Sequence, residues 1–473
     1  MLRMIAVALD LGTTAIKAGL LSQDGTLDSI AVRPAPVVVA DGGRYESDAM
    51  AYAVAADEVL AACLAHGAAG LPLGLCSQRS SFLLWERASG KPVTPLISWQ
   101  DDRGKESCAA LREHGGIIRT LAGLPLTPYY LAPKLRVLLH QHPAWRERLL
   151  SGEWLLGTLD TFLIWRWTGG ARHLTDVSMA ARTLLMDIHG RQWSPALCGL
   201  FDVPPQALPQ IAPSTGLGIP LNNGLVLQAS VGDQSAALVA SIAAGQPEAL
   251  VNLGTGGFVV CYLPEGGSIP EGYLQTLVWQ DEAQRVYLAC EGTLNSIAAA
   301  LAPYPAAACR VEELACDDIF CLAEPSGLGA PYFRGDLGVT FSAPVERLPA
   351  QRVAGLLLEG IIFRVVRILE DFRREYGIER ACLSGGLSGL SCLQQGIALC
   401  VPFPIRQLAQ TEAGLAGAAR LAAGMHGAYD RAAENIAVPR VSSGLPGKYQ
   451  RWKVWLDGVL RNPAPGQANP LNR

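Results

Sequence analysis

Apolar residues dominate positions 4–10 and again 15–21, and the turn-forming Ser22-Gln-Asp-Gly25 follows. That pattern predicts an opening β-meander. Residues 48–66 are Ala-rich with helical periodicity, whereas 71–77 and 80–87 read as strands. Trp99-Gln-Asp-Asp-Arg103 follows a strand and begins a helix, and 150–168 read as largely helical. Pro and Gly punctuate 203–220, after which Val231-Gly-Asp-Gln-Ser235 opens an Ala-rich helix running to about Ala244. A second strand set is predicted at 249–263, with further strands near 274–279 and 285–290. Residues 303–322 read as one or two helices at most. Residues 348–377 form a long amphipathic pattern with Val353, Leu357, Ile361, Val365 and Ile368 on one face. Ala381-Cys-Leu-Ser-Gly-Gly386 is a short strand ending in a Gly pair before a helix, and Thr411–Ala419 is a small-residue helix suited to close packing. Tyr449, Trp452, Trp455, Leu456 and Val459 share a helix face, and residues 462–473 read as a frayed end.

Two of these strand pairs look alike. Val7-Ala-Leu-Asp-Leu-Gly-Thr-Thr-Ala-Ile-Lys17 superposes without a gap on Ala249-Leu-Val-Asn-Leu-Gly-Thr-Gly-Gly-Phe-Val259, so that Asp10 falls on Asn252, Gly12 on Gly254 and Thr13 on Thr255. Gly permits a sharp turn and close approach of backbone to a ligand. The N–H groups of such a turn can converge on phosphate oxygens, and Thr hydroxyls add donors. Asp10 offers the oxygen ligand a hard cation takes, and Lys17 can offset phosphate charge. One such turn alone is more often an ordinary hairpin; two in register favour a duplicated phosphate clamp.

A chain of 473 residues exceeds one ordinary core, and two domains are expected. Gly245-Gln-Pro-Glu248 marks the boundary, giving domains 1–244 and 245–440, with 441–473 as a C-terminal helix and tail. Half the residues are hydrophobic and 17% are charged, which excludes a disordered chain. A net charge of -4 offers no field for nucleic acid, and no apolar run is long enough to span a membrane. A cleaved leader would remove the Asp10 loop, so none is expected. The twelve Cys are scattered without a Cys-x-x-Cys pair and read as reduced core thiols of a cytoplasmic protein.

In order and spacing, further motifs accompany the two loops: Ser77-Gln-Arg79, Gly90-Lys-Pro92, Ser98-Trp-Gln-Asp-Asp-Arg103, Gly123-Leu-Pro-Leu-Thr-Pro-Tyr129, Gly157-Thr-Leu-Asp-Thr161, Gly232-Asp-Gln234, Leu358-Glu-Gly360 and Ser384-Gly-Gly386. Together they resemble the FGGY family of carbohydrate kinases from about residue 4 to about 425, with the texture of glycerol kinases. The resemblance implies an α/β protein of two actin-like, RNase H-like domains with a cleft for ATP and sugar between them. It implies ATP and Mg2+, transfer of the γ-phosphoryl group to a sugar or polyol hydroxyl, and cleft closure that excludes water. A homodimer is compatible with the sequence, though no interface can be read from it.

Residue by residue, the resemblance makes Asp233 the catalytic base, where spacing alone leaves helix capping equally open. Asp10, Gly12, Thr13, Thr14 and Lys17 form the first phosphate loop, and Gly254, Thr255 and Gly256 the second. Asp10 and Asp233 are the carboxylates nearest Mg2+, and Gly385 and Gly386 approach adenosine. Arg79, Ser80, Trp99, Asp101, Arg103, Tyr129, Asp233 and Gln234 form the substrate side, with Asp101 and Arg103 either binding hydroxyls or only fixing their loop. Three departures stand out. Glycerol kinases place Glu after the substrate Arg, whereas Ser80 follows Arg79. They carry Asn near adenine where this chain has Leu390 and Ser391. The stretch from 295 to 325 is short for the family. Xylulose-, ribulose- or sedoheptulose-type ketoses are therefore expected ahead of glycerol. Two rivals are a degenerate kinase serving as a sensor of sugar or nucleotide, and an actin- or chaperone-like ATPase, which would share the phosphate loops but not the sugar-side motifs.

Overall fold

In the computed structural model the described residues are 3–409, 412–425, 433–439 and 444–461. Thr411, at the start of the predicted 411–419 helix, and the predicted frayed end at 462–473 lie outside them. The chain divides into two units: Met1–Ala240, Thr276–Leu288 and Glu412–Tyr429 form the first, and Ser241–Gln275, Ala289–Thr411 and Asp430–Arg473 the second.

The first unit begins with the meander β1 (Met4–Leu11), β2 (Ala15–Ser22) and β3 (Leu27–Pro34), paired antiparallel in that order. Helix α1 (Ala49–Ala65) follows; Asp48 caps it by accepting from the amides of Met50 and Ala51. Strand β4 (Pro72–Ser77) then runs parallel to β1. Strand β5 (Thr215–Pro220) is antiparallel to β6 (Val226–Gly232), and β6 lies parallel to β4. The sheet order is therefore β5-β6-β4-β1-β2-β3. This order fixes the site, because β1, β4 and β6 end side by side: Asp10 is opposite Cys76, and Ser77 is opposite both Leu11 and Gly232. Ligands of parallel sheets bind beyond such carboxyl ends. Helix α2 (Asp233–Ser241) leaves directly from β6 and stops short of the predicted Ala244.

The predicted small-residue helix forms as Ala413–Ala422 and packs on β1 and β4. A Cβ at Gly417 would lie 1.8 Å from the carbonyl oxygen of Ala236, so only glycine permits this approach to α2. One prediction fails in this unit. Residues 150–168 are not largely helical: Trp154–Thr158 is a strand, and the helix starts at Leu159. That strand pairs with Phe82–Glu86 and is buried on both faces, so its apolar run carries no period-two signature. The Pro- and Gly-rich stretch 203–220 also holds the strand Gln210–Ala212 as well as β5.

The second unit repeats the motif. Strands β7 (Glu248–Leu253), β8 (Gly257–Tyr262) and the Ala289–Leu294 part of β9 (Val286–Leu294) pair antiparallel in that order. Helix α3 (Ala350–Tyr376) buries Val353, Leu357, Ile361, Val365 and Ile368 in the core and stops at Gly377, whose φ of +67° suits a C-terminal cap. Strand β10 (Arg380–Ser384) lies parallel to β7, β11 (Ile405–Leu408) parallel to β10, and β12 (Ala433–Asn435) antiparallel to β11. Thus β7, β8 and β10 repeat β1, β2 and β4. The short segment after β9 folds as the helix Ile297–Leu301, two single 3-10 turns and the strand Cys321–Leu322. Glu324 closes it: one carboxylate oxygen accepts from Arg364 at 2.7 Å, the other from the amides of Asn295 and Gly329. Arg364 and Glu324 are both fully buried, and removing one partner of such a pair costs about 3–5 kcal/mol. The helix Leu445–Arg461 buries Tyr449, Trp452 and Leu456, while Trp455 and Val459 are half-buried.

Candidate active site

The superposition of the two Gly-Thr hairpins holds up to the turn and then slips. Asp10 pairs with Lys17, whereas Asn252 pairs with Phe258, one residue earlier than a gapless match requires. The first turn closes from the Gly12 amide to the Ala15 carbonyl, the second from the Gly254 amide to the Gly256 carbonyl. The first loop is one residue longer, and that residue places Lys17 directly across from Asp10.

At the first loop, Asp10 Oδ1 is buried without a hydrogen-bond partner. Burial, then repulsion from Asp233, pushes the Asp10 carboxyl up to about 7; the Cys76 thiol and Lys17 pull the other way. An acceptor-only oxygen in that position fits a hard cation. The Lys17 ammonium is not free for phosphate in this state: it donates to Glu412 at 2.6 Å. Thr13 Oγ1 accepts from the Trp99 indole at 3.0 Å, and Thr14 is exposed.

Asp233 follows β6 directly, and its Oδ1 accepts from the Gln234 amide at 2.7 Å. Its side chain is 38% exposed. Burial raises its carboxyl above the ordinary value; Arg79 and Arg182 act against that rise. Arg79 Nε lies 3.6 Å from Asp233 Oδ1, and Arg79 Nη2 donates to Gln234 Oε1. The stem of Arg79 lies over Gly232, where a Cβ would come 2.7 Å from its Cδ.

On the substrate side, Ser80 adopts a φ of +65°, an uncommon conformation for a non-glycine residue. Its hydroxyl donates to the Arg182 carbonyl at 2.9 Å. With its one proton committed, Ser80 can only accept from a ligand. Tyr129 and Trp99 pack with ring centroids 5.6 Å apart. Asp101 is buried and accepts from the amides of Tyr45 and Arg103 and from the Arg103 guanidinium, which also binds Glu46. Burial favours a raised Asp101 carboxyl, but these donors outweigh it and hold it below the ordinary value. These bonds tie the loop to Tyr45 and Glu46. Lys134, fully buried beneath the same loop, donates to the carbonyls of Ser98 and Trp99 at 2.8 and 3.1 Å.

In the second unit, Thr255 is exposed at the tip of its turn between half-buried Gly254 and Gly256. Because β10 lies beside β7, Gly385 comes against that turn's base. A Cβ there would lie 2.5 Å from the Leu253 carbonyl oxygen, and φ is +89°. Gly386 opens a 3-10 turn through Gly389, and the α-helix starts at Ser391. Ser388, Gln394 and Gln407 hydrogen-bond one another around this turn, beside Leu390 and Ser391.

Comparison with known proteins completes the picture. Residues 5–234 match the N-terminal domain of the FGGY family of carbohydrate kinases and residues 250–425 match its C-terminal domain. The chain belongs to that family. It is 32% identical to a glycerol kinase of Alkalilimnicola ehrlichii over 96% of this chain and 97% of the relative. It is 29% identical to an apulose kinase of Pectobacterium atrosepticum over 95% and 97%. The fold is the two-domain α/β fold of solved FGGY kinases. A glycerol kinase of Plasmodium falciparum with ADP superposes with a TM-score of 0.81 at 20% identity, covering 97% of this chain and 99% of that one. FGGY kinases are phosphotransferases with an alcohol acceptor, and this chain is a sugar or polyol kinase of that kind. All twelve Cys are free, and among the described residues no helix is long and apolar enough to cross a membrane.

Four neighbours of the site escaped sequence reasoning: Gln78, Arg182, Lys134 and Glu412. Gln78 stands inside Ser77-Gln-Arg79, and its place beside Arg79 was the available signal. Arg182 and Glu412 had none, since they lie 51 residues before and 179 residues after Asp233 in sequence.

Proposed function

We propose that the protein transfers the γ-phosphoryl group of ATP directly to a hydroxyl of a ketose such as xylulose, ribulose or sedoheptulose, with Asp233 as general base. The observation that supports this most is the convergence of Asp233, Arg79 and Asp10 at the ends of three neighbouring strands. Arg79 and Gln234 would bind substrate hydroxyls and hold the reacting one toward Asp233. The hydroxyl proton passes to the Asp233 carboxylate as its oxygen bonds to the γ-phosphorus and the bond to the β-bridging oxygen breaks. The proton then leaves to solvent and ADP departs. Asp10, with its orphan oxygen, would hold Mg2+, with Asp233 facing the same charge; the ion supplies neutralisation of the phosphate oxygens. In the second unit, the amides around Gly254 and Gly256 and the Thr255 hydroxyl would bind phosphate, and Gly385 and Gly386 would let adenosine approach backbone. The enzyme would act in the cytoplasm, where ATP is formed.

Ketose is preferred because no carboxylate follows Arg79 and the Ser80 proton is already used. Buried partners discriminate strongly between hydroxylated substrates. Glycerol is the second reading, favoured by the glycerol kinases among the relatives. Incubation with ATP, Mg2+ and each sugar in turn, read by phosphorus NMR, tests both. A new sugar phosphate ester with a ketose supports the first, a glycerol phosphate the second, and free phosphate alone contradicts both.

A further inference from the structure

The side chain of Gln78 takes part in neither proposed contact with substrate nor with phosphate, yet it is 2% exposed and ties together three loops that do. Its Oε1 accepts from Thr13 Oγ1 in the phosphate loop, at 3.5 Å, and from Ser81 Oγ at 2.8 Å. Ser81 Oγ in turn accepts from the Trp99 amide at 3.0 Å, and the Trp99 indole donates back to Thr13 Oγ1 at 3.0 Å. The ring of bonds is closed: Thr13, Gln78, Ser81, Trp99 and Thr13 again. Gln78 is held in the required orientation because its Nε2 donates to the Tyr52 hydroxyl at 3.0 Å, which reaches the Gly12 carbonyl at 3.4 Å. Lys134 anchors the Trp99 carbonyl from behind.

A hydroxyl has one proton and two acceptor sites. While the Trp99 indole donates to Thr13, the Thr13 proton has two destinations: Gln78 Oε1, at the limit of hydrogen-bond length, or an incoming phosphate oxygen. Displacing Trp99 removes the donor that sets this choice. A sugar seated against Trp99 and Tyr129 would fix the indole and with it the Thr13 rotamer.

We propose that Gln78 is a positioning residue that couples the sugar side to the phosphate loop, so that each ligand strengthens binding of the other. This rests on the kinase reading above. Coupling of this kind is reciprocal and typically about 5–150-fold in affinity. The test measures the affinity of AMP-PNP with Mg2+ in the absence and presence of saturating sugar. The sugar is whichever of D-xylulose, D-ribulose, sedoheptulose and glycerol gives wild type its highest kcat/KM. Wild type is expected to bind AMP-PNP at least about 5-fold more tightly with sugar. Gln78→Met and Trp99→Phe are expected to retain less than about 2-fold, with Ser81→Ala between them. A purely structural role would lower melting temperature and weaken both ligands without changing the ratio. Full coupling in Gln78→Met or in Trp99→Phe overturns the proposal, and so does a wild type that turns over sugar without any coupling. Should Gln78→Met fail to fold, the other two variants decide. Absence of sugar turnover in wild type would instead sink the kinase reading itself.

Discussion

The two Gly-Thr hairpins share strand order and a parallel neighbour, yet differ in charge and in length. The first has Asp10 across from Lys17, with Asp233 and Glu412 acting on Asp10 as well. The second has neutral Asn252 across from Phe258 and a tighter turn, backed by Gly385. The duplicated scaffold thus carries two different chemistries. Under the proposed function, the charged copy would serve the reaction and its cation, and the neutral copy would make backbone contact with the nucleotide.

The comparison is broken most severely by Asp233→Asn. It keeps the size of the side chain and removes the base; kcat is expected to fall by about 10²–10⁴-fold in sugar-dependent ADP release. Asp10→Asn is expected to lower kcat/KM by about 10²–10³-fold in the same assay. It also has an opposite effect on stability. The folded carboxyl lies at about 7, above its ordinary value of 3.8, so its contribution is present in acid and lost as pH rises through 7. Without ligand, Asp10→Asn should therefore melt higher than wild type at pH 8 and about equally at pH 4, read by thermal denaturation. Mg2+ should raise the wild-type melting temperature at pH 8 more than at pH 5.

A pH profile sharpens the account of the base. Burial raises the Asp233 carboxyl while Arg79 and Arg182 hold it down. The base must be ionised, so kcat falls as pH drops through its value, and Arg182→Met should move that acid limb to higher pH. An unmoved limb would remove Arg182 from the account. In the neutral copy the effects are smaller. Thr255→Val should raise the KM for ATP about 5-fold with kcat little changed, in line with one lost hydrogen bond. Asn252→Asp should leave kcat within about 3-fold of wild type, because a carboxylate alone does not recreate the first loop.

Much of this division was legible in the sequence. Gly12, Thr13, Gly254 and Thr255 are visible because a Gly-Thr turn between apolar strands is a local pattern, and Asp233 because its strand-to-helix junction is local too. The slip after the turn was hidden, since the returning strands are apolar in either register. Strand Trp154–Thr158 is not legible from periodicity because burial on both faces erases alternation. Lys17 was expected to face phosphate, and its partner Glu412 lies 395 residues away, beyond any local signal. Asp101 and Arg103 could be recognised as a pair, but that they satisfy each other and Glu46 depends on a loop seen only in the fold.

The most direct test compares wild type with Asp233→Asn in sugar-dependent ADP release, with AMP-PNP affinity measured on the same preparations. The account predicts that the variant binds the nucleotide within about 3-fold of wild type while its kcat falls by at least about 10²-fold. A variant that keeps its kcat, or loses activity only in proportion to lost nucleotide binding, would contradict the assignment of the chemistry to the charged copy.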